Sequence, residues 1–404
     1  MKRIYVVLVI VLFVLGSACE RKPKDTPKVE DLQLPVIHLF TDSEIPWDER
    51  IPCDMAVVTA HDSVVWSGKI KCRGGVSSKF EKHSYSVKLT EKHSLCELPA
   101  NRSWILNASY IDKTFMRHKL CYDLFNSMGD NDIAPKCAYA LVRVNSQPQG
   151  LYVVMQRLNK HVLAIDDSDP EAVIFKEPKL FYCDGKMPDR DPLEENYHEQ
   201  SYPDFEKGDR SAVIDEFRRF IVKSSDAEFY AHIGEWVDIQ NLIDWNLFIL
   251  FTNSGDGVLK NFYLYKKDAN TPFRIALWDC DHSFGRDGDN EKNMLKVLPD
   301  ERRNILIDRM MKSDEYVQKL KNRYAELRRS GIFSYENIER MMRENDPYVR
   351  AGLKENLQLW PFDSENYFDS ASYDEEYNLI LEFVKLNIER LDSQLLTPNS
   401  LTVS

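Results

Sequence analysis

The strongest constraint on the fold is a change in hydrophobic pattern about halfway along the 404-residue chain. Before residue 211, short apolar and β-branched runs predict strands: Ala56–Val58, Val64–Trp66, Ile70–Arg73, Tyr85–Leu89, Cys137–Val144 and Leu151–Met155. After it, helical spacing predicts helices: Ser211–Val222, Ile239–Phe251, Asn304–Arg328, Tyr335–Asn345 and Glu375–Leu391. This order predicts an α+β fold with a sheet-rich lobe, a helix-rich lobe and a cleft between them.

The chain divides further by composition. Residues 35–158 contain the predicted strands, expected to form an antiparallel sheet, and one amphipathic helix, Asp112–Phe125. Residues 159–210 are rich in Asp, Glu, Pro and Gly around one apolar island, Val173–Lys176, and are interpreted as an acidic insertion or lid. Residues 211–397 form the predicted helical lobe.

The amino terminus has the pattern of a sorting signal. Basic residues precede an apolar run from Ile4 to Leu15, which is shorter than the ~20 residues that span a bilayer. The small residues before Cys19 resemble a bacterial lipobox, so residues 1–19 are predicted to be a lipoprotein signal and 20–34 a charged tether. Lipidation of Cys19 predicts an exported protein, anchored to a membrane on the periplasmic or cell-surface face; plain cleavage and secretion is the alternative.

Composition excludes one class of partner. The chain has 53 Lys and Arg against 65 Asp and Glu, a net charge of −12, which argues against sequence-blind nucleic-acid binding. The cysteines after Cys19 are widely spaced without a Cys-x-x-Cys pair, so neither a disulfide framework nor a zinc knuckle is predicted.

Chemistry is concentrated between Ile239 and Gly285. An almost wholly apolar helix leads to Asp256, and Asn261 follows before a predicted hairpin, Phe262–Leu277. Asp279 stands directly after the hairpin, in a turn ending Phe284-Gly285. This is the order of parts in a protein-kinase active site.

Phosphoryl transfer gives each of these side chains a role. Asp256 would orient the attacking hydroxyl, as a base-like catalytic residue. Asn261 and Asp279, with Asp281 as an additional ligand, offer the oxygen donors that suit Mg²⁺ or Mn²⁺ bound with ATP. An acidic surface turn is the alternative interpretation.

Several motifs resemble one known family. They begin with Arg73-Gly74-x-x-Ser77-Ser78 and Lys82-x-x-Tyr85-x-x-Lys88, and continue in Tyr110–Arg117, Gln149–Tyr152, Asn261–Tyr265 and Trp278–Gly285. Together they resemble the spore-coat protein H (CotH) kinase family over roughly residues 36–395. The resemblance implies an atypical protein kinase, secreted or held at a surface, that uses ATP and a divalent metal to phosphorylate serines of partner proteins.

The resemblance also implies individual roles. Asp256 matches the catalytic aspartate, Asp279 the metal-binding aspartate and Asn261 the asparagine that heads the hairpin strand. Lys88 is the first choice for the lysine that pairs with ATP phosphates, with Lys82 as its competitor. For both lysines, a solvated strand residue is the alternative.

Three further assignments concern the nucleotide. The segment from Arg73 through Ser77 and Ser78 is expected to lie over the phosphates as a backbone cradle, or else to form a tight hairpin. Gln156 ends a strand that resembles the one leading into a kinase hinge, at a position where many family members have Glu. Arg117 and Lys176 are further candidates for the cleft, each with a structural role as the alternative.

The protein substrate is expected to be Ser-rich, with basic segments favoured by the acidic net charge. Two other functions stay open. Asp279-Cys280-Asp281-His282-Ser283 fits the start of an aspartate-type phosphatase site, with Asp279 as nucleophile. A kinase-like fold with little catalysis would instead serve as a surface adhesion or assembly module.

Overall fold

The structure is a computed structural model that describes residues 32–183, 195–287, 291–363 and 369–396. The predicted signal, Cys19 and most of the tether lie outside these residues. The strands are β1 Val36–Phe40, β2 Ile51–Val58, β3 Ser63–Arg73, β4 Ser84–His93, β5 Asn101–Asn107, β6 Cys137–Val144, β7 Gln147–Gln156, β8 Val173–Lys176, β9 Gln200–Tyr202, β10 Phe262–Lys266 and β11 Arg274–Leu277. The helices are α1 Arg117–Asn126, α2 Ser211–Lys223, α3 Asp226–Trp236, α4 Ile239–Thr252, α5 Ile305–Met310, α6 Asp314–Arg329, α7 Tyr335–Leu359 and α8 Tyr373–Leu395. The α+β prediction is confirmed.

The first seven strands close into a barrel in the order β1-β2-β3-β4-β5-β7-β6. Closure comes from β1, because Val36 pairs with Val58 of antiparallel β2 and with Leu141 of parallel β6. The predicted antiparallel sheet is therefore wrong in two respects: it is closed, and one of its pairings is parallel. A closed barrel leaves no unpaired edge, but alternation within a strand carries no information about which strands meet.

Alternation along β3 and β4 separates the barrel interior from its outer face. The residues that face inward are buried: Ile70, Cys72, Tyr85, Val87 and Leu89. The basic residues between them therefore lie on the outer face: Lys69, Lys71, Arg73 and Lys88. The barrel thus presents a row of positive charge on one side of these two strands.

The second sheet is antiparallel, in the order β11-β10-β8-β9. Its strand β8 is the apolar island of the predicted insertion, and Phe175 of β8 pairs with Leu264 of β10. Val173, Ile174 and Phe175 are buried in the larger hydrophobic core. The segment 159–210 therefore contributes a strand to the sheet that carries the β10–β11 hairpin.

The larger core lies between this sheet, the helices and the outer side of β5 and β7. Helix α7 lies close against the barrel at Gly352, where an added Cβ would come within 2.7 Å of Leu151. This helix continues through Pro347 to Leu359, well beyond its predicted end, because its later turns are packed against β7. No helix in the described ranges is long and apolar enough to cross a membrane.

Helix boundaries differ from the sequence prediction where a polar side chain replaces a helical hydrogen bond. Helix α1 begins at Arg117, five residues later than predicted, because Asp112 accepts hydrogen bonds from the backbone N–H groups of Thr114 and Arg117. The predicted helix Asn304–Arg328 is divided into α5 and α6, and Ser313 caps the second part. Helix α3 was not predicted.

A buried pair of carboxyl groups, Asp132 and Asp244, joins the loop after α1 to α4. The Nδ2 of Asn241 donates to Asp132 Oδ1 at 2.9 Å, and the Nε of Arg323 donates to Asp244 Oδ1 at 2.7 Å. Burial, and next the charge of Asp244, raise the pKa of Asp132 to about 8. The folded protein therefore holds a proton here at neutral pH.

This pair predicts a measurable pH dependence. An unfolded Asp has a pKa of about 4, so between pH ~4 and ~8 only the folded state binds this proton, and stability falls as the pH rises. In Asp132→Asn, the loss of unfolding free energy between pH 6 and 8 should be smaller than in the wild type by about 2 kcal/mol. Urea unfolding at the two pH values measures it.

The exposed Asp130→Asn is the matched control and should follow the wild type. Equal pH dependence of wild type and Asp132→Asn would show that Asp132 does not hold the proton.

Candidate active site

The β10–β11 hairpin brings two predicted site residues to the same end of the sheet. Phe262, the first residue of β10, pairs with Leu277, the last residue of β11. The carbonyl of Asn261 accepts a hydrogen bond from the backbone N–H of Trp278 at 3.1 Å. Asn261 and Asp279 therefore flank the open end of the hairpin, and both have positive φ angles, 66° and 51°.

Asp256 reaches this end from α4. The helix ends at Thr252, Asn253 adopts the left-handed conformation, and Asp256 follows on a short 3₁₀ turn. Its Oδ2 lies 2.9 Å from the Nζ of Lys260. Asp256 thus stands five residues before the hairpin asparagine, on a turn fixed by the end of a buried helix.

Lys260 pairs with Asp256 and is also influenced by two further carboxylates. Burial alone would lower its pKa, but the charges of Asp256, Glu177 and Asp279 raise it. Glu177 follows β8, and its Oε1 accepts a hydrogen bond from the backbone N–H of Asn261 at 3.3 Å. Neither Lys260 nor Glu177 was predicted; the position of Glu177 directly after an apolar strand is the signal that marks it.

A second group of side chains lies on the other side of Asp279. His118 of α1 is 2% exposed, and its Nε2 lies 3.1 Å from Asp279 Oδ1. The donor atoms of His118, Asp279 and Asp281 all lie within 4.8 Å of one another. His118 was missed by the sequence analysis because it precedes Asp279 by 161 residues and stands in no metal-binding motif.

The charges in this group shift one another. Burial would raise the pKa of Asp279, but the hydrogen bond to His118 and the charges of His118 and Arg73 lower it. Burial and the charge of Asp279 raise the pKa of Asp281. For His118, burial lowers the pKa, whereas Asp279 and Asp281 raise it by more. Asp279 is thereby kept as a carboxylate.

These residues fit a divalent cation. Two carboxylates and an imidazole are a donor set for such an ion. The Nδ1 atoms of His118 and His282 are buried and have no hydrogen-bond partner within the described part of the chain. His118 faces Asp279 with Nε2, which is the nitrogen an ion between these side chains would contact, whereas the unpaired Nδ1 lies on the other side of the ring.

Basic side chains converge beside the carboxylates. The guanidinium of Arg73 lies 5.6 Å from the ring centre of Trp278. Burial raises the pKa of the Tyr263 hydroxyl, but nearby Arg157, Lys176 and Arg73 each oppose that shift. Three cations therefore act electrostatically on one phenol on the strand that begins next to Asn261. Arg157 was not predicted.

Lys82 and Lys88 have different surroundings. Lys82 is buried, and its ammonium donates to the carbonyls of Ala108 and Leu151 and to Asn356 Oδ1. All three of its N–H donors are thus used within the fold. Lys88 is exposed on the outer face of β4, opposite Lys69.

The other residues predicted to contact the nucleotide, Ser77, Ser78 and Gln156, also differ in their exposure. Ser77 and Ser78 lie on an exposed turn after Arg73, where Gly74 has a φ of 147° and Ser78 Oγ donates to the Gly75 carbonyl at 2.7 Å. This loop is at the Arg73 end of β3. Gln156 is buried, and its Nε2 donates to the Pro99 carbonyl at 3.0 Å, so its amide contacts the fold.

A buried ion network holds the loop that follows Asp281. Arg117 donates to Asp112 Oδ1 at 2.7 Å, to Glu376 Oε2 at 3.1 Å and to the Ser283 carbonyl at 3.0 Å. Glu376 of α8 also pairs with Arg286. Arg117 therefore fixes α1, the Asp279–Ser283 loop and α8 relative to one another. These contacts agree with the structural role that the sequence analysis gave as the alternative to a place in the cleft.

The fold and site define an α+β protein in which carboxylates, a histidine and basic side chains meet at the end of one hairpin. Residues 70–391 match the family model described as CotH kinase protein, and the chain belongs to this family.

Two curated relatives come from Bacillus subtilis (strain 168). The chain is 24% identical over 333 residues to "Inner spore coat protein H", covering 81% of this chain and 86% of that protein. It is 26% identical over 178 residues to "Inner spore coat protein H-like protein", covering 43% of this chain and 46% of that one.

A solved structure, the Shewanella oneidensis MR-1 toxin–antitoxin complex of HipA, HipB and operator DNA, gives a TM-score of 0.29 at 10% identity. The match covers 87% of this chain and 66% of that chain.

The Arg117 network predicts a large loss of stability when one partner is removed. Arg117→Met leaves Asp112 buried without its cation and should lower the free energy of unfolding by about 3–5 kcal/mol. Arg340→Met removes an exposed pair with Glu344, one helical turn away, and should lower it by at most ~1 kcal/mol. Urea unfolding of both variants makes the comparison, and equal losses would contradict a supporting role for Arg117.

Proposed function

We propose that the chain is an ATP-dependent protein kinase that transfers the γ-phosphoryl group to Ser or Thr of a partner protein. In this proposal the barrel and the helical region act as the two lobes of a kinase-like fold. The observation that carries it is that the Asp256–Lys260 ion pair, Asn261 and Asp279 lie at the same end of the β10–β11 hairpin, with Glu177 hydrogen-bonded to the backbone of Asn261. The description of the matched family as a kinase supports the same function.

Each group of side chains has a part in phosphoryl transfer. Asp256 is partly exposed, so its carboxylate accepts a hydrogen bond from the substrate hydroxyl and orients that oxygen for attack. Lys260 pairs with Asp256 in the structure, and its charge also favours the transferring phosphoryl oxygens. The chemistry is mostly positioning and electrostatics, which suits a site built from fixed ion pairs.

The nucleotide phosphates are assigned to the basic group. Arg73 ends β3, Arg157 follows β7 and Lys176 ends β8, and all three act electrostatically on Tyr263, so together they would bind several phosphate oxygens. A divalent cation held by Asp279, Asp281 and Asn261 would neutralise charge that develops on the phosphates. Lys88, Ser77 and Ser78 stay predictions for this subsite. Lys82 and Gln156 are proposed to act through the fold.

The phosphatase alternative finds less support. Asp279 follows the second strand of an antiparallel hairpin, whereas aspartate-type phosphatase sites follow a strand of a parallel sheet. Ser283, the last residue of that motif, is fully buried and its hydroxyl donates to the Cys280 carbonyl at 2.8 Å. It is thus already engaged inside the fold.

We place the protein outside the cytoplasm, anchored by lipid on Cys19, with a Ser-rich basic protein as substrate. The curated relative named as an inner spore coat protein supports a surface location. Mass spectrometry of the mature amino terminus tests the anchor: a diacylglycerol-modified Cys19 supports it, and an unmodified terminus sinks it.

A phosphate-transfer assay tests the proposed function. The chain from residue 20 onward, with labelled ATP and Mg²⁺ or Mn²⁺, should label itself or a Ser-rich basic peptide. Asp256→Asn and Asp279→Asn should each lower the rate by about 100-fold or more, because each removes a charge that acts in the transition state. Asp130→Asn is the surface control.

The opposite result has a definite meaning. Absence of label, together with no rise in melting temperature on adding ATP, would leave the surface adhesion or assembly module as the better account.

The phosphate subsite makes a separate prediction for binding. Arg73→Gln and Arg157→Gln should each weaken ATP binding about 10-fold or more, because a charge-assisted hydrogen bond contributes ~1.5–3 kcal/mol. Adenosine binding should change little. Titration calorimetry with ATP and adenosine measures both, and Arg102→Gln on β5, whose Nε donates to the Leu89 carbonyl, is the control. Unchanged ATP affinity in both variants would show that Arg73 and Arg157 do not bind the phosphates.

A further inference from the structure

His118 belongs to an element far from the candidate metal loop in sequence, yet it lies against that loop. Asp279 and Asp281 follow β11, and His118 is on the first turn of α1. One turn later, the hydroxyl of Tyr122 accepts a hydrogen bond from the backbone N–H of Asp279 at 3.0 Å. Two residues on one face of α1 therefore set the position of the loop.

The spacing of the three side chains is close to that of metal ligands. Around a six-coordinate ion with bonds of about 2.1 Å, neighbouring donors lie about 3.0 Å apart and opposite donors about 4.2 Å apart. His118 Nε2 and Asp279 Oδ1 are 3.1 Å apart, and all three donors lie within 4.8 Å of one another. One ion would reach all three with little movement of the side chains.

A second buried histidine–aspartate pair in this chain, His198 with Asp215, differs from the pair of His118 with Asp279. His198 is also buried, and its Nε2 lies 3.3 Å from Asp215 Oδ1, but its Nδ1 accepts a hydrogen bond from the backbone N–H of Lys179. The ring of His198 is therefore held at both nitrogens. His118 is held at one, and its Nδ1 is buried with no partner among the described residues.

We propose that His118, Asp279 and Asp281 form a mixed nitrogen–oxygen site that selects a first-row transition-metal ion, of the Mn²⁺ type, over Mg²⁺. Mg²⁺ is a hard ion that takes oxygen ligands, whereas imidazole suits transition metals. Mn²⁺ also accepts carboxylates, which supply the other two donors here. The role of this ion, as the one that accompanies ATP, rests on the proposed function. The test of the metal site does not depend on that function.

Binding of the metal alone is the test. The chain from residue 20 onward is titrated with Mn²⁺, without nucleotide, and free Mn²⁺ is followed by its electron paramagnetic resonance signal. Competition with Mg²⁺ gives the ratio of the two affinities. We expect the wild type to prefer Mn²⁺ by about 10-fold or more, and His118→Gln to lower that preference to about 2-fold or less.

Spin-echo modulation spectra of bound Mn²⁺ give a direct readout of the ligand. Nitrogen coupling from a directly bound imidazole should be present in the wild type and absent in His118→Gln. His198→Gln, which removes a buried histidine of similar pairing, should keep both the coupling and the metal preference. Circular dichroism confirms that each variant is folded.

Three results would overturn the proposal. They are the absence of nitrogen coupling in the wild type, survival of that coupling in His118→Gln, which would transfer the role to His282, and equal wild-type affinity for the two ions. A variant that does not fold leaves the wild-type spectrum to decide. Failure of phosphate transfer with the nitrogen signal intact would reject the kinase proposal and keep the metal site.

Discussion

The structure around the candidate site depends on one buried guanidinium. The guanidinium of Arg117, which is 1% exposed, joins Asp112 ahead of α1, the loop after Asp281 and helix α8 through charge-assisted hydrogen bonds. Buried ion pairs contribute little net stability relative to apolar packing, but they are demanding about geometry. Because Arg117 precedes His118 and contacts the carbonyl of Ser283, the same bonds that satisfy its charge set the distance between the two halves of the candidate metal site.

Most of the remaining site is positioned by the hairpin and by β8. Pairing of Phe262 with Leu277 brings Asn261 and Asp279 together, and pairing of β8 with β10 places Glu177 next to Asn261. Asp256 is held by the end of the buried helix α4. Backbone hydrogen bonds and apolar packing thus fix the spacing, so the charged groups meet without having to stabilise the elements that carry them.

The sequence predicts the site residues that lie within one segment and misses those that come from separate elements of the fold. Asp256, Asn261 and Asp279 lie within one segment whose helix, turn and strand patterns are strong, and the structure brings them together. His118, Arg157 and Glu177 come from three other elements, and no spacing rule connects them. Lys82 shows the reverse: its motif marks it for phosphate, yet its ammonium is surrounded by two carbonyls and Asn356. Barrel closure was missed for the same reason, because strand alternation does not identify pairing partners.

Charge balance explains why such a site is stable before a ligand arrives. Asp279 repels Asp281, as the raised pKa of Asp281 shows, and Asp256 and Glu177 add negative charge around Lys260. Lys260 offsets it on one side and His118 with Arg73 on the other, as the lowered pKa of Asp279 shows. In the proposed kinase, these cations would pair with the phosphate oxygens of ATP and the carboxylates would bind the metal ion. Under that proposal, a ligand that carries both signs would replace the internal ion pairs with its own, so the charge balance would be kept as it binds.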